Sequence, residues 1–158
     1  MPFTKTKAIK YYKLAREMAD LFSKDPSTKV GSIFLAPESL MIRTCGFNGM
    51  PRGIDETRSE RWERPGKYLW CEHSERNAIY NAAREGVGLE GSIAVVTLMP
   101  CVDCARALIQ VGVKTLVTVR PDMSDEKWAR WGESFAVARE MFEEVGLDLV
   151  LLESDEVV

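Results

Sequence analysis

With 158 residues, 46% of them hydrophobic and 28% charged, the chain is long enough to bury one sizeable core, and its composition is neither low-complexity nor disordered. A net charge of −3 gives no electrostatic footprint for a polyanion, so nucleic acid is not an expected partner. The longest apolar runs are far too short to cross a bilayer, and the charged N-terminus MPFTKTKAIKYYKLAREMAD lacks the apolar core and cleavage site of a secretory signal; no membrane and a cytoplasmic location are expected.

Along residues 5–24, Ala8, Tyr12, Ala15, Ala19 and Phe22 recur at three and four, which predicts a helix with one apolar face, ended by Asp25-Pro26. Lys29–Leu35 and Leu40–Gly46 read as two strands of an antiparallel hairpin. Residues 47–69 form a long polar segment rich in glycine, proline and charge, and such loops are usually functional. A helix from Ser74 to Glu85 stops at Gly86, and the β-branched run Ile93–Thr97 predicts a fully buried strand. A helix over 102–111 and a strand over Thr115–Val119 follow. Trp128, Trp131, Phe135, Ala138, Phe142 and Val145 then mark one long last helix whose tryptophans read as core packing, closed by Gly146 and a strand over 147–152. Together these elements predict an α/β fold, a three-layer α/β/α sandwich around a mixed five-stranded sheet, in a single domain spanning 1–158.

The chemistry gathers around the one histidine, His73, in WCEHSERNAI, and around Cys101 and Cys104 in MPCVDCAR. On a helix starting near Cys101 the two thiols stand one turn apart on one face, where free amides and the helix dipole favour the thiolate form. His73 begins its own helix. Two such helix starts side by side deliver one imidazole and two thiolates to one point, a set that selects zinc and leaves the fourth position for water. Glu75 is near enough to move that water's protons without binding the ion.

Three alternatives attach to these residues. A lone CxxC is more often half of a structural zinc knuckle or a redox pair, although no second CxxC is present. A closed site of Cys71, Cys101, Cys104 and His73 would be structural and inert; Cys71 lies before the helix, where nothing forces its direction, and is expected to be a bystander. Serine or cysteine hydrolase chemistry would need the same histidine as base and shows no local nucleophile signature. Cys45, at a strand end, is expected to be a buried small hydrophobe.

His73-Ser-Glu75 and Pro100-Cys-x-x-Cys104, separated by a strand, match the known signature of the zinc-dependent base deaminases. Gly46-Phe-Asn-Gly-Met-Pro-Arg-Gly53, the helix His73–Arg84 and Cys104–Gly112 further resemble the deoxycytidylate (dCMP) deaminases, over roughly Ser23–Val119. The resemblance implies a cytidine deaminase-like fold, zinc on His73, Cys101 and Cys104, and Glu75 as the proton shuttle in conversion of dCMP to dUMP, which feeds thymidylate synthesis. It implies substrate contacts from Asn48 to the sugar, from the backbone at Ser74 to the base carbonyl and from carbonyls near Pro100 to the amino group. It also implies a regulated homo-oligomer, a hexamer, with Mg2+ accompanying a nucleotide effector and Gly46, Gly49, Arg52 and Arg84 at effector or subunit contacts. Ser74 departs from the family's usual alanine, which motivates a second reading, deamination of another base, nucleoside or nucleotide. A third is a zinc-stabilised binding module without turnover. The segment 51–67 sets Arg52, Arg58, Arg61, Arg64 and Lys67 against Asp55, Glu56, Glu60 and Glu63, which reads first as a solvated loop and second as a phosphate clamp.

Overall fold

Hydrophobic alternation in the strands decides the layering. In the computed structural model, which describes residues 3–158 and only the backbone of Lys127, Ile33, Leu35, Ile93, Val95 and Val117 point to one face of a sheet, while Phe34, Ala94, Val96 and Leu116 point to the other. Helix α1 (Lys5–Phe22) covers the first face through Ala8, Tyr12 and Ala15. Helices α3 (Ser74–Glu85), α4 (Val102–Gln110) and α6 (Gly132–Glu144) cover the second through Ala78, Ala82, Ala105, Leu108, Phe135, Ala138 and Phe142. The fold is the expected three-layer sandwich.

The sheet order is β2-β1-β3-β4-β5, with strands β1 (Gly31–Leu35), β2 (Ile42–Phe47), β3 (Ile93–Val96), β4 (Thr115–Val119) and β5 (Asp148–Leu152). Strand β1 is antiparallel to both β2 and β3, while β3, β4 and β5 run parallel, so the sheet is mixed as expected. The buried run of β3 is fully enclosed, as its β-branched sequence predicts.

Two expectations change. The segment 47–69 is not all loop: a 3₁₀ turn spans Ser59–Trp62 and the short helix α2 spans Lys67–Trp70. The single long last helix is two pieces, α5 (Glu126–Ala129) and α6, broken at Arg130-Trp131, because Trp131 takes the N-cap position of α6. Cys45 is also exposed: its side chain alternates away from Thr44 and Gly46, which face α3 on the edge strand β2. Among the described residues no helix is long and apolar enough to cross a membrane.

Gly46 is where the sheet and α3 touch most closely. A Cβ there would lie 2.4 Å from the Ser74 carbonyl oxygen and 2.5 Å from the Ala78 amide nitrogen, both backbone atoms. Gly46→Ala is therefore expected to cost about 1–3 kcal/mol or to push α3 off the sheet. Gly88→Ala, where a Cβ meets nothing within 4 Å, should stay within about 0.5 kcal/mol of the wild type. Denaturant unfolding of both variants checks the contrast.

Candidate metal centre and active site

Three side chains converge where α3 and α4 begin. His73 is the N-cap residue of α3 and Cys101 that of α4, both with extended backbone, and Cys104 stands in the first turn of α4. The His73 Nδ1 lies 3.4 Å from the Cys101 Sγ and 3.5 Å from the Cys104 Sγ, and all three ligand atoms fall within 4.8 Å of one another. Tetrahedral zinc bonds of about 2.3 Å to sulfur and 2.0–2.1 Å to nitrogen place N and S about 3.6 Å apart, so the residues fit zinc. The Cys101 thiol is drawn down to about 3, by the hydrogen bond with the Cys104 thiol ahead of that with His73, which favours the thiolate form a metal needs. No second cluster of this kind occurs among the described residues, so the expected Mg2+ gains no support.

Cys71 does not join the triad. It lies in the wall of the adjoining cavity, its thiol held up to about 11, first by burial and then by the nearby Asp25 charge. The fourth ligand of a closed site is absent from the cluster.

Glu75 is buried beside the triad and lines the same cavity as His73 and Cys101. Burial pushes its carboxyl above the ordinary carboxylate range, and the Ser74 hydroxyl donates to its Oε2 at 3.0 Å. Ser74 is itself fully buried, and its carbonyl accepts a bond from the Ser32 hydroxyl at 2.8 Å, which pins the start of α3 to β1. Asn77 donates to the Phe47 carbonyl at 2.9 Å and Asn81, one turn on, to the Cys45 carbonyl at 2.8 Å, so the two asparagines also fasten α3 to β2.

Several residues here carried no readable signal. Arg76 pairs with Glu72 just before α3 and reaches Asp103 in the first turn of α4 at 3.9 Å, spanning the two ligand-bearing helix starts. Cys101 spends its thiol on the triad and makes no side-chain cap bond; instead Ser134, in the first turn of α6, accepts from the Val102 amide at 2.9 Å. Trp128, Trp131 and Phe135 line the cavity. Trp131 packs against the core as expected and lines the cavity as well, and Trp128 lines the cavity, so the reading of both tryptophans as core alone is corrected.

The other expected contacts divide. Asn48 lines the cavity, yet its amide is fully engaged. Its Oδ1 accepts from Val30 N and Ser23 Oγ, each at 2.8 Å, and its Nδ2 donates to Thr28 O at 2.8 Å and Asp25 Oδ2 at 3.2 Å. Leu98, Met99 and Cys101 line the cavity, whereas the buried Pro100 does not. Gly46 is buried under α3, and Gly49 is buried and pairs its backbone with Glu72. Arg52 is exposed and donates to Asn81, and Arg84 is exposed in the last turn of α3, where the helix dipole favours a cation.

Asp25 and Lys67 form a buried ion pair in the cavity wall at 2.6 Å, with side chains 1% and 6% exposed. Burial alone would raise the Asp25 carboxyl, but bonds from Lys67 and from the Ser27 amide and hydroxyl outweigh it and hold it below the ordinary value of 3.8. The pair joins α2 to the 25–30 segment, and Asn48 is bonded to the same carboxylate.

The family model for the cytidine and deoxycytidylate deaminase zinc-binding region matches residues 5–120. An uncharacterized deaminase encoded in the luxG 3′ region of Aliivibrio fischeri is 35% identical over 148 residues, covering 94% of this chain and 95% of that protein. The deoxycytidylate deaminase of Mus musculus is 31% identical over 131 residues, 79% of this chain and 68% of that one. Among solved structures, the dCMP deaminase of cyanophage S-TIM5, in complex with dCMP and dUMP, superposes with a TM-score of 0.74 over 95% of this chain and 99% of that chain; at 22% identity the likeness is one of fold.

Two outcomes test the site. Cys71→Ser should keep a full complement of zinc by elemental analysis, while Cys101→Ser and Cys104→Ser should lose it. Asp25→Asn leaves Lys67 buried without its partner and should cost about 3–5 kcal/mol, with much of the loss recovered in Asp25→Leu/Lys67→Met. Because the Asp25 carboxyl is lowered on folding, its contribution is present above pH 3.8 and drains away as pH falls through the folded value. Denaturant unfolding at several pH values reads both effects.

Proposed function

The chain belongs to the cytidine and deoxycytidylate deaminase family, and from that premise we propose that it hydrolyses dCMP to dUMP and ammonia. The observation that carries the reading is the meeting of His73, Cys101 and Cys104 beside a buried, unligated Glu75 in one cavity. The relatives named deoxycytidylate deaminase, and the phage enzyme solved with dCMP and dUMP, support the choice of substrate. Under this reading 1–158 is one deaminase domain that works in the cytoplasm as a homo-oligomer.

His73, Cys101 and Cys104 would hold the zinc. When bound, zinc makes water a nucleophile near neutral pH by lowering its pKa. Glu75 accepts a proton from the water and delivers it to N3 of cytosine as the oxygen adds to C4. It then carries the second proton to the amino group, which leaves as ammonia. A carboxyl raised by burial suits this shuttling, since its affinity for a proton lies closer to those of its partners. Trp128, Trp131 and Phe135 supply apolar walls for a flat ring and exclude bulk water. Asn48 would exchange one of its four internal bonds for one to the sugar. The Ser74 hydroxyl, which motivated a different base, is committed to Glu75.

Ammonia release from dCMP, CMP, deoxycytidine, cytosine and guanine by the zinc-loaded protein decides among substrates; turnover of dCMP above the rest is expected. Glu75→Gln should lower kcat by about 10²–10⁴-fold with zinc retained. Glu75 must be ionised to take the first proton, so kcat/KM should rise with pH along an acid limb lying above pH 4.5, the ordinary value from which burial raises this group. Rapid turnover by Glu75→Gln would sink the mechanism.

A further inference from the structure

The cavity holds more positive charge than its catalytic groups require. Of the five cations in 51–67, four are committed elsewhere. Arg52 bonds Asn81, Arg58 pairs with Glu60, Arg61 lies over the Trp70 ring at 4.3 Å, and Lys67 is buried against Asp25. Arg64 remains. Among the described residues it meets no carboxylate, only the hydroxyls of Ser27 and Thr28 at 3.4 Å, and it lines the cavity that contains His73 and Glu75. A second guanidinium, Arg130, comes from the break between α5 and α6; it too is exposed, has no carboxylate partner among the described residues and lines the same cavity.

The two arginines share a second, open recess with Pro65, Tyr68 and Trp131. There the Tyr68 and Trp131 rings meet edge to face at 6.1 Å, so the segment carrying Arg64 touches the turn carrying Arg130. The bond from Val102 N to Ser134 holds that turn against the start of α4, and hence at a fixed offset from Cys101 and Cys104. The site is thus graded: ligands and Glu75 at the floor, aromatic walls, and two unneutralised guanidinium groups at the mouth. Guanidinium forks match the oxygens of a phosphate, and charge-assisted bonds of this kind are the strong ones. An acidic chain of net charge −3 does not acquire a locally cationic mouth from its bulk composition.

Resting on the deaminase reading, we propose that Arg64 and Arg130 form a phosphate-recognising rim that selects a nucleoside 5′-monophosphate over its nucleoside. The Ser27 and Thr28 hydroxyls accept from Arg64 and position its fork; the Ser27 proton is committed to Asp25, while the Thr28 hydroxyl lines the cavity and can donate to the same phosphate.

The test compares the wild type with Arg64→Gln, Arg130→Gln and the double variant. The ratio of kcat/KM for dCMP to that for deoxycytidine should fall about 10–100-fold in each single variant and further in the double. The loss should fall on KM for dCMP, and Arg→Lys at either position should restore part of it. Binding of dUMP, deoxyuridine and inorganic phosphate, followed by tryptophan fluorescence, supplies a readout without turnover. In the double variant dUMP affinity should drop to that of deoxyuridine. A folded, zinc-loaded double variant that keeps both the wild-type ratio and the wild-type dUMP affinity overturns the proposal while leaving the deaminase reading intact. If the wild type releases no ammonia from any cytosine substrate, the deaminase reading fails. The binding arm still decides the rim: dUMP affinity lost in the double variant upholds it, and affinity unchanged refutes it.

Discussion

Everything at this site depends on the direction of two strands. Strand β1 is antiparallel to both of its neighbours, so β2 and β3 run the same way on either side of it. The chain leaves β2 and β3 at one edge of the sheet and enters α3 and α4 from that edge. Their N-termini, with free amides and positive dipole ends, therefore face the same space. Both first ligands occupy N-cap positions, where a side chain points across the helix end rather than along its flank. A site for one cation and two thiolates is thus assembled by topology before any side chain is fitted.

That topology imposes a debt of hydrogen bonds that neighbouring segments settle. A residue whose side chain serves the triad cannot also cap its helix, and α4 takes its missing acceptor from Ser134 in α6. Arg76 lies between the two helix starts with acids on both, Glu72 and Asp103. Around the cavity, Asp25 accepts from Asn48, Lys67 and Ser27, while the other bonds of Asn48 go to Ser23, Val30 and Thr28, so this wall gives up hydrogen bonds only in exchange.

How much was legible follows from the range of each interaction. His73, Glu75, Cys101 and Cys104 could be read because their relations are local, each pair sitting within one helical turn of a start signal. The strands and the mixed character of the sheet could be read from short apolar and β-branched runs, whereas the order β2-β1-β3-β4-β5 and the two core faces came only with the structure. By contrast, the Asp25–Lys67 pair joins residues 42 positions apart and the Val102–Ser134 bond residues 32 apart, and no periodicity links such partners. Trp128 and Trp131 fitted a helical stripe so well that the break between them was invisible. A residue entering a new helix at its N-cap keeps the spacing of the stripe but not its direction. Cys45 misled for a different reason: on the edge strand β2 only the face carrying Thr44 and Gly46 is covered by α3, and Cys45 alternates onto the other.

The cap that α6 lends to α4 also says where this protein can be divided. The family signature ends near residue 120, yet Phe135, Ala138, Phe142 and Leu147 complete the core that α4 packs on, and β5 closes the sheet beside β4. The stretch that the family model matches is shorter than the stretch that builds this core and sheet. In a recombined or truncated gene, a junction at residue 120 would keep every ligand and lose the scaffold that holds them at a common point.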